Sequence, residues 1–136
     1  MSGINHFAAI VAGLVHFAFG AVWYTVFSQA WLVGIGKTRE QIMADNGNSP
    51  MPYIIGVVTA IIVAYTLAWL LPKLGAQSVA GGIRTGVMLA LTLVATTLAL
   101  NYGFEGRSLS LWLINAGYQV VNATAMGAVL GIWPWG

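Results

Sequence analysis

Two histidines in the first apolar segment are the strongest candidates for chemistry in this sequence. His6 and His16 fall on one heptad-spaced seam with Gly20 and Trp23, so both imidazoles are expected to face the same neighbouring helix. An imidazole inside a long apolar segment is costly unless it is paired, and such residues often mark proton relays or ligand sites. For His16 three interpretations are open: a hydrogen bond to a polar side chain of the last helix, a role with a proton or ligand, or ligation of a metal or haem.

Metal binding by these histidines alone is not expected. His6 and His16 lie ten residues apart on one helix, so they cannot hold the same metal ion without residues from another helix or subunit. The sequence contains no cysteine, which excludes disulfides and thiolate metal sites. We therefore predict no metal site and no resident cofactor, with haem or pigment binding through His6 or His16 as an alternative.

A stripe of amides in the last apolar segment is the second candidate. Asn115, Gln119, Asn122 and Met126 follow one another at steps of four, three and four residues, which nearly return to the same helical angle. Lipid would penalise these amides, so they are expected to face protein or trapped water. Two interpretations are open: interhelical hydrogen bonds of about 1 kcal/mol each, or a polar cavity that binds a substrate.

The charged residues do not assemble into a predicted catalytic site. Glu105 and Arg107 lie in the turn before the last helix, where an ion pair would stabilise the hairpin. A catalytic carboxylate usually needs a partner acid or a metal, and the only other acids, Glu40 and Asp45, lie in a different loop. The sequence therefore predicts a protein that is not an enzyme.

The distribution of charge indicates which elements must position these residues. Only 6% of the 136 residues are charged and 59% are hydrophobic, and every charge falls within 37–45, 73–84 or 105–107. The uncharged segments between these regions are each long enough to cross a hydrocarbon layer of roughly 30 Å. We predict an all-α membrane protein, a single domain over residues 1–136 that forms an antiparallel bundle of four transmembrane helices. The predicted spans cover about residues 4–27, 51–71, 79–102 and 109–133.

Between the first two spans, residues 28–50 are the only sizeable polar stretch. Thr38 and Gln41 have the spacing of a capping box, which predicts a short interfacial helix that ends near Asp45. Small residues recur at four-residue spacing in the later spans, for example Gly82 and Gly86, and such faces let helices pack closely in lipid. The sequence leaves open whether these faces meet within one chain or between chains.

Several runs of residues resemble a known family. The runs are residues 20–24 (Gly-Ala-Val-Trp-Tyr) with Phe27 and 30–31 (Ala-Trp), residues 101–107 (Asn-Tyr-Gly-Phe-Glu-Gly-Arg) and residues 112–118 (Trp-Leu-Ile-Asn-Ala-Gly-Tyr). They are similar to the bacterial family of domain of unknown function 1761. The resemblance spans nearly the whole chain. It implies a small protein of the bacterial inner membrane with four spans and no assigned biochemical activity.

The resemblance also implies a shared site where spans one, three and four meet. In many members a histidine follows the tyrosine that matches Tyr118, whereas this chain has Gln119 at that position. The residues that the family motifs place at this site are Trp23, Tyr24, Asn101, Glu105, Arg107, Asn115 and Tyr118.

Three functional hypotheses follow from the sequence. The first is a non-enzymatic bundle in the lipid bilayer that forms a homo-oligomer or binds another membrane component as a subunit of a larger complex. The second is a small transporter of a cation or amphiphilic solute with His16 in the pathway, and the third is a cofactor-binding membrane subunit. The few scattered basic residues exclude a nucleic-acid footprint. Loops one and three contain three Lys and Arg residues, and the opposite side of the predicted bundle contains two. Because cytoplasmic loops carry an excess of Lys and Arg, this difference weakly favours a cytoplasmic position for loops one and three.

Overall fold

The computed structural model describes residues 4–47 and 49–132, and within these ranges the regular structure is entirely helical. Four long helical stretches correspond to the four predicted spans, and two short helices lie between the first two. The helices are α1 (His6–Val26), α2 (Ser28–Ile35), α3 (Arg39–Asn46), α4 (Met51–Lys73), α5 (Val79–Leu89), a π-helical segment (Ala90–Ala95), α6 (Thr96–Glu105) and α7 (Leu109–Ile132).

Three helices in the described part of the chain are long and apolar enough to cross a membrane. They are His6–Val26, Met51–Lys73 and the continuous run Val79–Glu105. The helix α7 has the required length but is not among the three, because the amides of its polar stripe lower its apolar character. The prediction of four spans therefore stays a prediction, and residue 133, where the last span was predicted to end, lies outside the described residues.

The helix α7 occupies the centre of the fold, where it contacts α1, α2, α4, α5, the π-helical segment and α6. Its closest approach is to α5. A Cβ atom built on Gly82 would overlap the backbone of Gly127, and one built on Gly86 would overlap the carbonyl of Ala123. The small-residue faces of α5 and α7 therefore meet within one chain, which answers the question that the sequence left open for these two helices.

The helix α1 packs against α4 through alanines. Ala8, Ala9 and Ala12 on α1 are buried together with Ala64 and Ala68 on α4. Larger side chains complete this core, and small residues let the two helix backbones approach closely. The larger buried members of the core are Leu67, Leu71, Met126 and Leu130.

The loop after α1 contains more helix than the sequence predicted. Thr38 forms the predicted capping box with Gln41, and α3 ends one residue beyond the predicted limit, at Asn46. The helix α2 was not predicted. It begins immediately after Phe27, the one residue that separates it from α1. Helical hydrogen bonding resumes there, since the Trp31 amide donates to the Phe27 carbonyl over 2.9 Å.

The third long stretch changes its hydrogen-bonding pattern midway. The π-helical segment Ala90–Ala95 is continuous with helices on both sides. At its end, the indole Nε1 of Trp112 on α7 donates to the carbonyl oxygen of Ala95 over 2.9 Å. Such segments often lie at functional sites, and in lipid a backbone group benefits from a partner on a neighbouring helix.

Candidate functional site

Asn115 on α7 joins three of the long helical stretches through its side-chain amide. The hydroxyl of Tyr24 on α1 donates to its Oδ1 over 2.7 Å, and its Nδ2 donates to the hydroxyl of Tyr102 on α6 over 2.6 Å. We call Tyr24, Tyr102 and Asn115 the amide cluster. It lies at the meeting of the first, third and fourth long stretches, where the family resemblance implied a shared site.

A second network surrounds the hydroxyl of Tyr118. This oxygen lies 3.0 Å from Nδ1 of His16 and 3.1 Å from the His16 carbonyl oxygen, and it accepts from Nδ2 of Asn122 over 3.3 Å. A carbonyl can only accept, so the hydroxyl must donate its single proton there when both His16 contacts are made. Nδ1 of His16 then carries a proton and donates to Tyr118. We call these three residues the histidine network.

The amide cluster and the histidine network touch through aromatic rings. The rings of Tyr24 and Tyr118 meet edge to face with centroids 5.3 Å apart, and Nε1 of Trp23 donates to the carbonyl oxygen of Ile114 over 2.9 Å. Gly20 makes room for this arrangement, because a Cβ there would lie 3.0 Å from the Tyr118 hydroxyl. The two groups therefore form one polar and aromatic layer between α1 and α7.

One polar atom in this layer has no partner. Asn122 is only 1% exposed, and its Oδ1 makes no hydrogen bond with any described residue. A buried acceptor without a donor is uncommon and costs about 1–3 kcal/mol. The histidine network is thus satisfied around Tyr118 and incomplete at its Asn122 end.

The two histidines face different helices, so the prediction of a common neighbour is wrong. His16 contacts Tyr118 on α7, as its first interpretation required, whereas Nδ1 of His6 lies 3.0 Å from the hydroxyl of Tyr65 on α4. Ten residues of helix rotate the second imidazole away from the first, because 3.6 residues per turn do not divide evenly into the spacing. Among the residues that the structure describes, no group of three His, Asp or Glu side chains could hold a metal ion.

Among the remaining predicted residues, Arg107 touches the layer, because its guanidinium carbon lies 5.3 Å from the centre of the Tyr102 ring. Glu105 and Arg107 form the predicted ion pair, with 2.8 Å between Oε1 and Nε, in the exposed turn before α7. Asn101 is exposed on α6 and does not join the amide cluster. Gln119 faces a crevice of about 180 Å³ between α4, the π-helical segment and α7.

A larger pocket of about 620 Å³ lies beside Tyr24, where the last turn of α1 meets α2, α3 and the first turn of α4. Sequence reasoning did not predict it, because α2 was not predicted. We call it the interfacial pocket. Its lining residues are Tyr24, Ser28, Trp31, Leu32, Arg39, Ile42, Met43 and Pro52.

Arg39 is the charged residue of this lining, and it differs from its neighbours in the loops. Lys37 pairs with Asp45 over 2.7 Å, and Arg107 pairs with Glu105. Arg39 forms no ion pair with any residue in the described ranges. Its guanidinium is therefore available to a negatively charged group that enters the interfacial pocket.

Sequence reasoning did not assign Tyr102 or Tyr65 to a site. Tyr102 belongs to the family-like run 101–107, so its position beside Asn101 offered a signal. Tyr65 lies in an apolar run of α4 with no motif around it, and only the packing of α1 on α4 shows that it pairs with His6.

Comparison with known proteins supports the family resemblance. A family model described as a protein of unknown function (DUF1761) matches residues 7–131, which is nearly the whole chain. Neither a curated protein nor a solved structure matches it.

Proposed function

The chain belongs to the DUF1761 family of proteins of unknown function, and from this premise we propose that it is a non-enzymatic membrane protein of four spans that binds another membrane component. We place it in the bacterial inner membrane, as the resemblance implies. Its three apolar helices are consistent with a membrane protein.

The position of α7 supports a fourth span. Its amides would be costly in contact with lipid, but Asn122 is buried and Asn115 bonds two tyrosines. Because α7 is covered by the other helices, it can cross a bilayer with a lower apolar content than a helix that faces lipid. The four long stretches would then form the predicted bundle around it.

The interfacial pocket is the observation that carries the binding proposal. Its volume lies within the range of roughly 300–1,000 Å³ that is typical of ligand sites. Leu32, Ile42, Met43 and Pro52 give it an apolar wall, and Tyr24 connects it to the amide cluster. An occupant with an apolar part would therefore contact the same residue that links α1 to α7.

The small-residue faces give less support to self-association. Gly82 and Gly86 on α5 are already in contact with α7 of the same chain. A homo-oligomer would have to use other surfaces, whereas the interfacial pocket is available in one chain. Binding of a lipid or another amphiphile is therefore the better supported form of the proposal.

Filling the pocket tests this proposal. We expect Ser28→Phe to remove lipid that copurifies with the protein in mild detergent, because the ring would occupy the pocket. Ala30→Phe is the matched control, since Ala30 lies on the same helix, is exposed and does not line the pocket. Native mass spectrometry would count bound lipid molecules; equal lipid retention by both variants would contradict binding in the pocket.

A transporter with His16 in its pathway is the second candidate. The unpaired Oδ1 of Asn122 favours it, because a buried acceptor next to Tyr118 offers a place for a water molecule or a solute group. Proton-coupled flux in proteoliposomes should then disappear in His16→Ala and persist in His6→Ala. Unchanged flux in His16→Ala would remove this candidate.

A further inference from the structure

We propose that the interfacial pocket binds the phosphate of an anionic phospholipid through Arg39, with the upper part of an acyl chain against the apolar wall. This inference rests on the proposed function, because it names the chemical class of the component that the pocket binds. Neither the family description nor the sequence motifs assign Arg39 a role.

The position of the pocket sets the depth of its occupant. Tyr24 lies in the last turn of α1 and Pro52 in the first turn of α4, and both helices are candidate membrane spans. Neighbouring ends of two spans lie at one boundary of the hydrocarbon layer, where phospholipid headgroups are found. Tyr24 and Trp31 fit this depth, because amphipathic aromatic rings prefer it.

The donors of the pocket match a phosphate group. The Arg39 guanidinium can donate two parallel hydrogen bonds to phosphate oxygens. The hydroxyl of Ser28 and the indole Nε1 of Trp31 have no hydrogen-bond partner among the residues that the structure describes. Two residues of α2 and one of α3 that carry donor groups therefore line one apolar pocket, and these groups have no protein acceptor among the described residues.

The charge of the pocket favours an anionic headgroup over a zwitterionic one. Arg39 is a cation, and no described lining residue is an acid that could pair with the ammonium group of a neutral phospholipid. The three acids of the loops, Glu40, Asp45 and Glu105, do not line the pocket, although Glu40 follows Arg39 on α3. The same pocket would therefore bind a neutral lipid less tightly than an anionic lipid with identical chains.

A lipid titration followed by native mass spectrometry tests the headgroup assignment. The detergent-solubilised protein is titrated with phosphatidylglycerol and, separately, with phosphatidylcholine that has the same acyl chains. One cation near a headgroup should favour phosphatidylglycerol about fivefold in the wild type. Arg39→Gln should weaken phosphatidylglycerol binding about tenfold or more and remove the preference. Lys37→Gln is the matched control, because it removes one positive charge from the same loop but not from the pocket, and it should retain the preference.

The outcomes separate this inference from the proposed function. Equal binding of the two lipids by the wild type would overturn the headgroup assignment and leave the binding function standing. Loss of the preference in Lys37→Gln as well would also overturn it, because the charge of the whole loop would then explain the result. If neither lipid binds the wild type more than Ser28→Phe, the proposed function itself fails. Arg39 is exposed and glutamine is a good helix former, so Arg39→Gln should fold normally.

Discussion

The Tyr118→Phe substitution isolates the histidine network from the packing around it. The phenylalanine ring keeps the edge-to-face contacts with Tyr24 and His16, and only the hydroxyl is lost. Two contacts to His16 disappear, and interhelical hydrogen bonds in membranes contribute about 0.6 kcal/mol each. The amide of Asn122 also loses an acceptor in a buried position, which adds about 1 kcal/mol. We expect the free energy of unfolding to fall by about 2 kcal/mol.

Reversible unfolding in mixed detergent micelles, followed by tryptophan fluorescence and circular dichroism, measures this loss. Tyr53→Phe is the matched control, because Tyr53 is 70% exposed and its hydroxyl makes no hydrogen bond with the described residues. Its effect should stay within about 0.5 kcal/mol. If Tyr118→Phe changes stability no more than Tyr53→Phe does, the histidine network does not hold α1 to α7.

Three further substitutions test other contacts with the same unfolding measurement. Gly82→Ala should destabilise the protein by about 1–3 kcal/mol, because the added Cβ would overlap the backbone of α7. Gly103→Ala is the control, since Gly103 faces open space and the substitution should be neutral or slightly stabilising. Similar effects at both positions would contradict the close packing of α5 on α7. Asn115→Leu should cost about 1–2 kcal/mol because both tyrosine hydroxyls lose their partner, and a neutral result would show that the amide cluster contributes little. Arg107→Gln should cost about 1 kcal/mol or less, because its ion pair is nearly half exposed and its contact with the Tyr102 ring is at the surface. A loss above about 2 kcal/mol would contradict this reading of the turn.

The short elements show where sequence reasoning succeeds and where it fails. Thr38 and Gln41 predicted the start of α3 because a capping box is local: both partners lie within four residues. The helix α2 was missed because its residues were grouped with the polar stretch that follows them. Trp31 and Leu32, which lie on α2, then became walls of a pocket that the sequence did not predict.

The structure brings together some of the residues that the family resemblance assigned to a shared site. Asn115, Tyr24 and Tyr118 were placed between the same helices in which the structure brings them together, because the family-like motifs group them. Asn101 and Glu105 belong to the same motifs but lie outside the layer. A motif gives residues that occur together and does not give the direction of each side chain.

The sequence by itself determined that the chain is helical and that its long stretches are apolar, because hydropathy and the positions of the few charges are properties of the chain alone. Only the tertiary structure decided which faces meet. His6 pairs with Tyr65 and His16 with Tyr118 because the rotation and crossing of α1 against two different helices direct the imidazoles apart. The physical reason is that the hydrophobicity of each segment decides which parts of the chain form long apolar helices. Close packing and hydrogen-bond geometry then decide which helix faces which neighbour.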